Sequence, residues 1–282
     1  MGERLIQLWE STGLVQGSWQ NYVMLLVSFV LFYLAIARKF EPLLLVPIAF
    51  GMFAVNIPGG HDVLYAPGFS EGLKNLQTGF DVTKGGLFDY LSLGVTLSIF
   101  PPLIFLGIGA MTDFGPLLSN PKSLLLGAGA QIGIFVTFFG AILLGQWIVP
   151  DAFAADNLGE IMKAAASIAI IGGADGPTAI YVTNRLYAEL LPIIAIAAYS
   201  YMALIPVIQP PIMKLLTTKK ERLIRMDTPK PVSQTVKIIF PIAITLIVSI
   251  LLPTALPLVG MLMLGNLLSV CKVTERLAKT AA

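Results

Sequence analysis

Charged residues are scarce in this chain. They make up 12% of its 282 residues, whereas 56% of the residues are hydrophobic. Soluble domains carry roughly 25% charged residues, so the composition excludes an ordinary soluble domain and predicts a protein that crosses a membrane several times. The formal net charge of +2 is too small to indicate a nucleic acid partner, and none is expected.

Metal-binding and redox side chains are equally rare. The sequence has one cysteine and one histidine, Cys271 and His61, which excludes a Cys/His metal cluster formed by this chain alone. It also lacks a Gly-rich phosphate loop and a CxxC pair. We interpret Cys271 as a small buried residue and His61 as a loop residue.

Long apolar runs are frequent, and about 20 apolar residues in a helix suffice to cross a membrane. They predict seven transmembrane helices, near residues 20–37, 42–57, 90–111, 122–146, 189–213, 235–252 and 254–271, together with a broken helical segment at 160–185. The run at 42–57 is short enough to be partly re-entrant. We therefore expect an all-α polytopic membrane protein, with residues 1–282 forming a single transmembrane domain.

The broken segment contains a carboxylate inside an otherwise uncharged stretch, Ile168 to Ile180. An ionisable side chain at membrane depth costs several kcal/mol and usually lines an ion or substrate path. Asp175 is therefore a candidate cation ligand. The alternative is a turn outside the membrane in which Asp175 only caps a helix that begins at Pro177.

Glycines and a proline surround this carboxylate. Gly172, Gly173 and Gly176 allow unusual backbone angles, and Pro177 suits the first turn of a new helix. The pattern predicts two half-helices whose free carbonyls and amides face each other, which is how secondary transporters build sites for Na⁺ or H⁺. The sequence shows one such broken element.

Charged residues between the apolar runs predict the orientation, because Lys and Arg favour the cytoplasmic side. The loops at 58–89 and 151–160 are acidic and are placed outside, whereas the basic loop from Lys214 to Lys237 and the tail from Lys272 are placed inside. The number of membrane crossings is consistent with this placement of the loops only if segment 160–185 enters from the outer face, turns within the protein and returns to the same face. Such a re-entrant hairpin must be buried in protein or line a cavity.

Several other residues in or near the apolar runs are assigned structural roles. Asp113 is interpreted as a solvated helix end, Asn266 as a hydrogen-bonding residue between helices, and Tyr201 on its own as a packing aromatic. The prolines inside the runs predict helix kinks; they are Pro101, Pro102, Pro206, Pro210 and Pro211.

Several motifs together resemble one known family. The motifs are Gly172–Thr178 (GGADGPT), Ala197–Leu204 (AAYSYMAL), Gln209–Met213 (QPPIM), Tyr90–Pro121 with Phe100–Gly115 at its centre, and Gly260–Asn266 (GMLMLGN). They are similar to the membrane β-subunit of the sodium-pumping biotin-dependent decarboxylases, and the resemblance covers most of the chain.

The resemblance implies an activity and its residues. Members of the family accept carboxybiotin, release CO₂ at the membrane and couple this step to Na⁺ export. In them the acid of the GGADGPT motif, here Asp175, is implicated in Na⁺ binding, and a tyrosine of the following segment, which maps best to Tyr201, is implicated in coupling. The expected catalytic residues are thus Asp175 and Tyr201, and the expected Na⁺ ligands are Asp175, Gly172, Gly173 and Thr178.

The resemblance also implies partners and a location. Expected partners are a biotin carrier, a carboxyltransferase (α) subunit, a small membrane γ or δ subunit, further copies of the β-subunit and membrane lipid, in a bacterial or archaeal cytoplasmic membrane. Family members are longer by several spans and form an inverted-repeat fold with further polar residues in the Na⁺ pathway. The sequence is therefore expected to lack C-terminal spans, or to have its site completed by a second copy or chain.

A second function remains open at this point. The same hairpin would also serve a standalone Na⁺- or H⁺-coupled secondary transporter that has no decarboxylase activity.

Overall fold

A computed structural model describes residues 17–40, 42–66, 68–69, 84–148, 158–225 and 230–282. In these residues the regular structure is entirely helical. The α-helices are α1 (Trp19–Ile36), α2 (Pro42–Asn56), α3 (Gly60–Leu64), α4 (Leu87–Thr96), α5 (Phe100–Met111), α6 (Gly115–Ser119), α7 (Leu124–Ile148), α8 (Leu158–Ala169), α9 (Gly176–Leu186), α10 (Leu191–Leu216), α11 (Gln234–Leu251), α12 (Leu256–Val270) and α13 (Glu275–Ala281). Short 3₁₀ helices cover Pro121–Ser123, Ile170–Gly173, Ala188–Leu190, Glu221–Leu223 and Pro253–Ala255.

Four of the described helices are long and apolar enough to cross a membrane, or six if each of two bent helix pairs counts as one span. The all-α membrane prediction agrees with this, but the count of seven is not confirmed. The missing span is the one predicted at 42–57. Helix α2 has 15 residues and is therefore about 22 Å long, short of the ~30 Å hydrocarbon layer.

Contacts group the chain into two compact units. The first comprises the described residues of Met1–Gly94 together with Tyr199–Met213, and the second comprises those of Val95–Ala198 and Lys214–Ala282. Asp175 belongs to the second unit and Tyr201 to the first. The prediction of one transmembrane domain is not tested by this grouping.

Helices α1 and α2 pack against each other in the first unit. Ala35 and Leu45 are buried at their contact, and the Phe53 ring packs edge-on against Phe29 and Phe32 at centroid distances of 5.7 and 6.4 Å. Exposed apolar side chains cover the outer surface of α1, as expected for a helix whose solvent is lipid.

The predicted span at 90–111 is broken. Helices α4 and α5 meet at an angle of 73°, and Ser98 between them has a left-handed backbone with φ 57°. Pro101 and Pro102 lie in the first turn of α5, where a missing N–H costs no helical hydrogen bond. The proline pair was predicted to produce a kink, and in the structure it begins a new helix, so the chain has more than one broken element.

Helices α5 and α12 cross with almost no space between their backbones. A Cβ added to Gly109 would lie 1.9 Å from the carbonyl oxygen of Leu262, and one added to Gly265 would lie 2.0 Å from that of Leu106. Only glycine fits at either position. The crossing therefore depends on a small-residue pair of the kind common between membrane helices.

Asn266 joins the same two helices by a hydrogen bond. Its side chain is 1% exposed, and its Nδ2 donates to the carbonyl oxygen of Thr112 at 2.8 Å, just beyond the last residue of α5. The prediction of an interhelical hydrogen bond at Asn266 is thus confirmed. Asp113, which follows Thr112, is exposed, and its Oδ1 lies 3.6 Å from Lys237 Nζ. This agrees with the assignment of Asp113 to a solvated helix end.

Helix α10 is bent by 57° between Ala188–Met202 and Leu204–Leu216. Pro206 lies four residues after Met202. In a regular helix the N–H at position 206 would donate to the Met202 carbonyl, but proline has no N–H and its ring clashes with that carbonyl, which bends the helix. The kink predicted from Pro206 is therefore observed.

Candidate functional site

The segment around Asp175 is a hairpin of two short helices. Helices α8 and α9 pack against each other, and Thr183 Oγ1 lies 3.5 Å from the carbonyl oxygen of Ser167, sixteen positions earlier. In one continuous helix those residues would be about 24 Å apart. Ser167 and Thr183 are equally far along the chain from Asp175, so the fold-back is centred on the carboxylate, as predicted.

Small side chains allow the two arms to approach. Ala164, Ala165 and Ala169 on α8 and Ala179 on α9 are at most 1% exposed. Since alanine adds little bulk beyond the backbone, the arms can pack closely along their length. The hairpin is thus held by helix packing as well as by its turn.

The turn itself differs from the prediction. The 3₁₀ helix Ile170–Gly173 ends at Ala174, which has φ 57° and ψ 35°, and Asp175 returns to an extended backbone. Gly172, Gly173 and Gly176 have no positive φ. The prediction that these glycines supply the unusual backbone angles is therefore wrong, because the left-handed residue is Ala174.

Gly172 has a different role, at the contact between the turn and α7. A Cβ on Gly172 would lie 2.6 Å from the Gly133 carbonyl oxygen and 2.7 Å from Thr137 Oγ1. Conversely, a Cβ on Gly133 would lie 2.6 Å from the Gly172 carbonyl oxygen. A Cβ added to Gly173 would lie 3.0 Å from Ile134 Cδ1. The backbone of the turn therefore rests directly on the backbone of α7.

Asp175 lies at the N-terminus of α9, where it acts as a helix cap. Its Oδ1 accepts a hydrogen bond from Thr178 N at 3.3 Å, and its Oδ2 accepts one from Thr178 Oγ1. The structure thus brings together two of the predicted Na⁺ ligands, and the capping alternative describes a real contact. A carboxylate has about four lone-pair sites, so two accepted hydrogen bonds leave capacity for a cation.

Asp175 is a single carboxylate, and Thr178 places one hydroxyl beside it. Among the described residues no group of three or more His, Cys, Asp or Glu side chains is placed to hold a metal. Divalent cations usually take several carboxylates. The pair of Asp175 and Thr178 is not such a cluster, and the Na⁺ assignment of these residues stays a prediction.

Tyr201 is half-buried on α10, immediately before the bend at Met202. It follows Tyr199 by two positions, so the two phenols project from different sides of the helix. Its role in coupling stays a prediction.

Asn184 makes a long-range contact that the sequence did not reveal. It lies near the end of α9, and its Nδ2 donates to the carbonyl oxygen of Thr96 at 2.8 Å and to Ser98 Oγ at 2.8 Å. A third oxygen, the carbonyl of Val95, is 3.3 Å away. Asn184 does not stand out in the sequence, because α9 also contains other polar residues such as Thr183 and Arg185, and its partners are almost ninety positions earlier.

The described part of the basic loop is ordered by its own hydrogen bonds. Arg222 Nη1 donates to the carbonyl oxygens of Lys214 and Thr217 at 3.0 and 2.9 Å. The Thr218 backbone and hydroxyl donate to Glu221 and lower the pKa of its carboxyl group. Lys219, Lys220 and Arg225 remain exposed, so the loop presents a basic surface.

Comparison with known proteins gives a consistent set of relatives. Residues 20–282 match the family model described as Na⁺-transporting oxaloacetate decarboxylase beta subunit. The methylmalonyl-CoA decarboxylase subunit beta of Propionigenium modestum is 51% identical, over 100% of this chain and 69% of the relative. The glutaconyl-CoA decarboxylase subunit beta of Acidaminococcus fermentans is 47% identical, over 96% and 64%.

A third relative is less similar in sequence, but its match covers a similar share of both chains. The probable oxaloacetate decarboxylase beta chain of Vibrio cholerae is 43% identical, over 99% of this chain and 71% of the relative. The chain therefore spans 64% to 71% of the length of these three relatives.

Proposed function

Because this chain belongs to the family of Na⁺-transporting oxaloacetate decarboxylase beta subunits, we propose that it is the membrane subunit of a sodium-pumping, biotin-dependent decarboxylase. In this function it decarboxylates carboxybiotin and couples that reaction to Na⁺ export. The observation that carries the proposal is the hairpin of α8 and α9, which holds a single carboxylate at the meeting point of two half-helices.

The proposed Na⁺ site is the turn of this hairpin. Asp175 and Thr178 supply the side-chain oxygens, and Gly172 and Gly173 supply backbone oxygens from the preceding turn. A half-buried carboxylate whose lone pairs are not all used by hydrogen bonds can ligate a cation.

Coupling requires a proton to move. When carboxybiotin loses CO₂, the bond between the ureido nitrogen and the carboxyl carbon breaks and the electron pair stays on nitrogen, which then takes up a proton. An acid or phenol that loses its proton when Na⁺ binds can supply it. We assign this part to Asp175 and Tyr201, which link the chemical step to the arrival of Na⁺.

The proposed partners follow from the chemistry. Carboxybiotin must be delivered by a biotin carrier, and the carboxyl group must come from an acid held by a carboxyltransferase (α) subunit. The relatives are named for three different acids, so we propose that the α subunit selects the acid. The proposed assembly further includes a γ or δ membrane subunit and additional copies of this chain, and it lies in a bacterial or archaeal cytoplasmic membrane. The basic loop of this chain is a docking surface for a partner subunit or for anionic lipid.

The function is tested on the intact complex purified from membranes through a tag on this chain. We expect a biotinylated protein to co-purify and free carboxybiotin to be decarboxylated only when Na⁺ is present. Detection of biotin on a blot and release of CO₂ against Na⁺ concentration are the two measurements. A complex that transports Na⁺ but neither retains a biotinylated partner nor releases CO₂ is a standalone transporter, and the proposal is then wrong.

Tyr201→Phe tests the coupling role in the same complex. We expect Na⁺-dependent decarboxylation to fall about 100-fold, the lower range for loss of a proton-transfer group, while assembly is unchanged because the ring still fills its space. Tyr199→Phe, a half-buried tyrosine on the same helix, is the matched control and should keep wild-type turnover. Equal turnover in the two variants would return Tyr201 to a packing role.

A further inference from the structure

A line of polar side chains runs along one face of α9. Thr178, Tyr181 and Arg185 follow each other at spacings of three and four positions, which places them one above another on a helix. Asp175 caps the same helix just before them. The ten positions from Asp175 to Arg185 correspond to about 15 Å along the helix axis. In the predicted orientation, this line leads from the Asp175 turn to the outer surface.

Tyr181 is the most buried residue of this line. It is 6% exposed, whereas Asp175 and Thr178 are half-buried and Arg185 is exposed. The Arg185 guanidinium lies over the Tyr181 ring, with its Cζ 4.6 Å from the ring centroid, and such a contact is attractive. The ring and the guanidinium therefore lie between the Asp175 turn and the solvent at the end of α9.

The hydroxyl of Tyr181 is buried without a hydrogen bond. Its oxygen is shielded from solvent and has no partner among the residues that the structure describes. By contrast, Thr183 and Asn184 on the same helix both donate to carbonyl oxygens of other helices. An unsatisfied buried hydroxyl raises the free energy of the arrangement that contains it, and such groups are rare in native proteins. The Tyr181 hydroxyl therefore favours a second arrangement in which water reaches it.

We propose that Tyr181 and Arg185 form the outer gate of the path to Asp175, and that the gate is closed in this structure. When it opens, the guanidinium leaves the ring and the hydroxyl is hydrated. The cation–π contact favours the closed arrangement and the unsatisfied hydroxyl favours the open one, so the two effects oppose each other, as a gate with two accessible states requires. The inference rests on the proposed function in taking Asp175 as the ion site.

The experiment follows the opening of the gate through a cysteine placed beneath it. Thr178→Cys is introduced together with Cys271→Ala, because Cys271 is the one cysteine of the chain. A membrane-impermeant thiosulfonate is added from outside to right-side-out vesicles that contain the complete complex, and labelling of this chain is followed in time. A cysteine behind a gate reacts only while the gate is open, so the labelling rate reports the open fraction.

Tyr181→Phe keeps the ring and removes the unsatisfied hydroxyl, which stabilises the closed arrangement. We expect a higher melting temperature of the complex and labelling that is slower by about tenfold. The matched control is Tyr187→Phe. Tyr187 directly follows α9 and its hydroxyl lies beside the Glu189 carboxylate, so this variant should keep the labelling rate of its parent.

Arg185→Gln removes the guanidinium from the Tyr181 ring and should speed labelling by about threefold, since the closed arrangement loses its cation–π contact. Lys163→Gln is the matched control, because it removes an exposed positive charge from the other arm of the hairpin. Labelling in Lys163→Gln should match that of the parent.

Each part of the proposal has a result that overturns it. If Tyr181→Phe does not raise the melting temperature, the hydroxyl is already bonded in the intact complex; if it raises the melting temperature but leaves labelling unchanged, Tyr181 is a packing residue. Equal labelling in Arg185→Gln and Lys163→Gln, or no labelling of Thr178→Cys from outside, likewise excludes the gate. None of these measurements uses carboxybiotin, so failure here is distinguishable from failure of the decarboxylase function, which is read from CO₂ release.

Discussion

We expect Asp175→Asn to abolish Na⁺-dependent decarboxylation and to leave the hairpin folded. Asparagine caps helices about as well as aspartate, so its side-chain oxygen can still accept from Thr178 N, while the negative charge that attracts Na⁺ is lost. We expect turnover to fall by at least about 100-fold, in line with loss of a group required in the reaction. The measurement is CO₂ release from carboxybiotin against Na⁺ concentration, with the complete complex.

The matched control for Asp175→Asn is Asp113→Asn. Asp113 is an exposed carboxylate, 70% accessible, paired with Lys237 across 3.6 Å, and exposed pairs contribute 0 to about 1 kcal/mol. Its variant should keep the wild-type Na⁺ dependence. If Asp175→Asn behaves like Asp113→Asn, then Asp175 is only a helix cap and the Na⁺ site lies elsewhere.

Gly172→Ala should have the largest structural effect at the site. The new Cβ would meet the Gly133 carbonyl oxygen at 2.6 Å, and because this oxygen is backbone, either the turn or α7 must move. Overpacking of this kind costs about 1 to 3 kcal/mol. We expect a lower melting temperature. Turnover should also fall by at least about tenfold, because the turn that carries Asp175 is displaced.

Two control variants separate this clash from a general effect of substitution. Gly140 lies on α7 with no atom within 4 Å of an added Cβ, so Gly140→Ala should be neutral or stabilise by up to about 1 kcal/mol through helix propensity. Ala174→Gly, two residues after Gly172, should also be tolerated, because glycine adopts the left-handed conformation without a steric penalty. Equal melting temperatures for Gly172→Ala and Gly140→Ala would show that the turn does not rest on α7.

The hairpin could be predicted from sequence because its determinants are local. A lone carboxylate within an apolar run, followed by Pro177, defines both the second half-helix and its cap. The choice of left-handed residue could not be predicted in the same way. The left-handed residue of the turn could have been any of four neighbours, Gly172, Gly173, Ala174 and Gly176. Which of them is left-handed depends on the direction in which the two arms fold back, and in the structure it is Ala174.

The break at Leu97–Ile99 was hidden from the sequence for a related reason. The residues there are mostly apolar and continue the pattern of a span, and a proline pair indicates either a kink or a new helix start. Packing against α9 through Asn184 distinguishes these outcomes. A contact between positions almost ninety residues apart leaves no periodicity in the sequence.

The sequence by itself determined that this protein is helical and membrane-bound, where the broken segment around Asp175 lies, and, by resemblance, its family. These properties follow from composition and from short motifs, whose physics acts over a few neighbouring residues. Only the tertiary structure decided that Gly172 rests on Gly133 and Thr137, that Ala174 makes the turn, and that Asn184 meets the end of α4. These contacts join segments that are distant in sequence. They depend on which helices pack against each other, and local sequence patterns do not specify this because the apolar surfaces of the helices are similar.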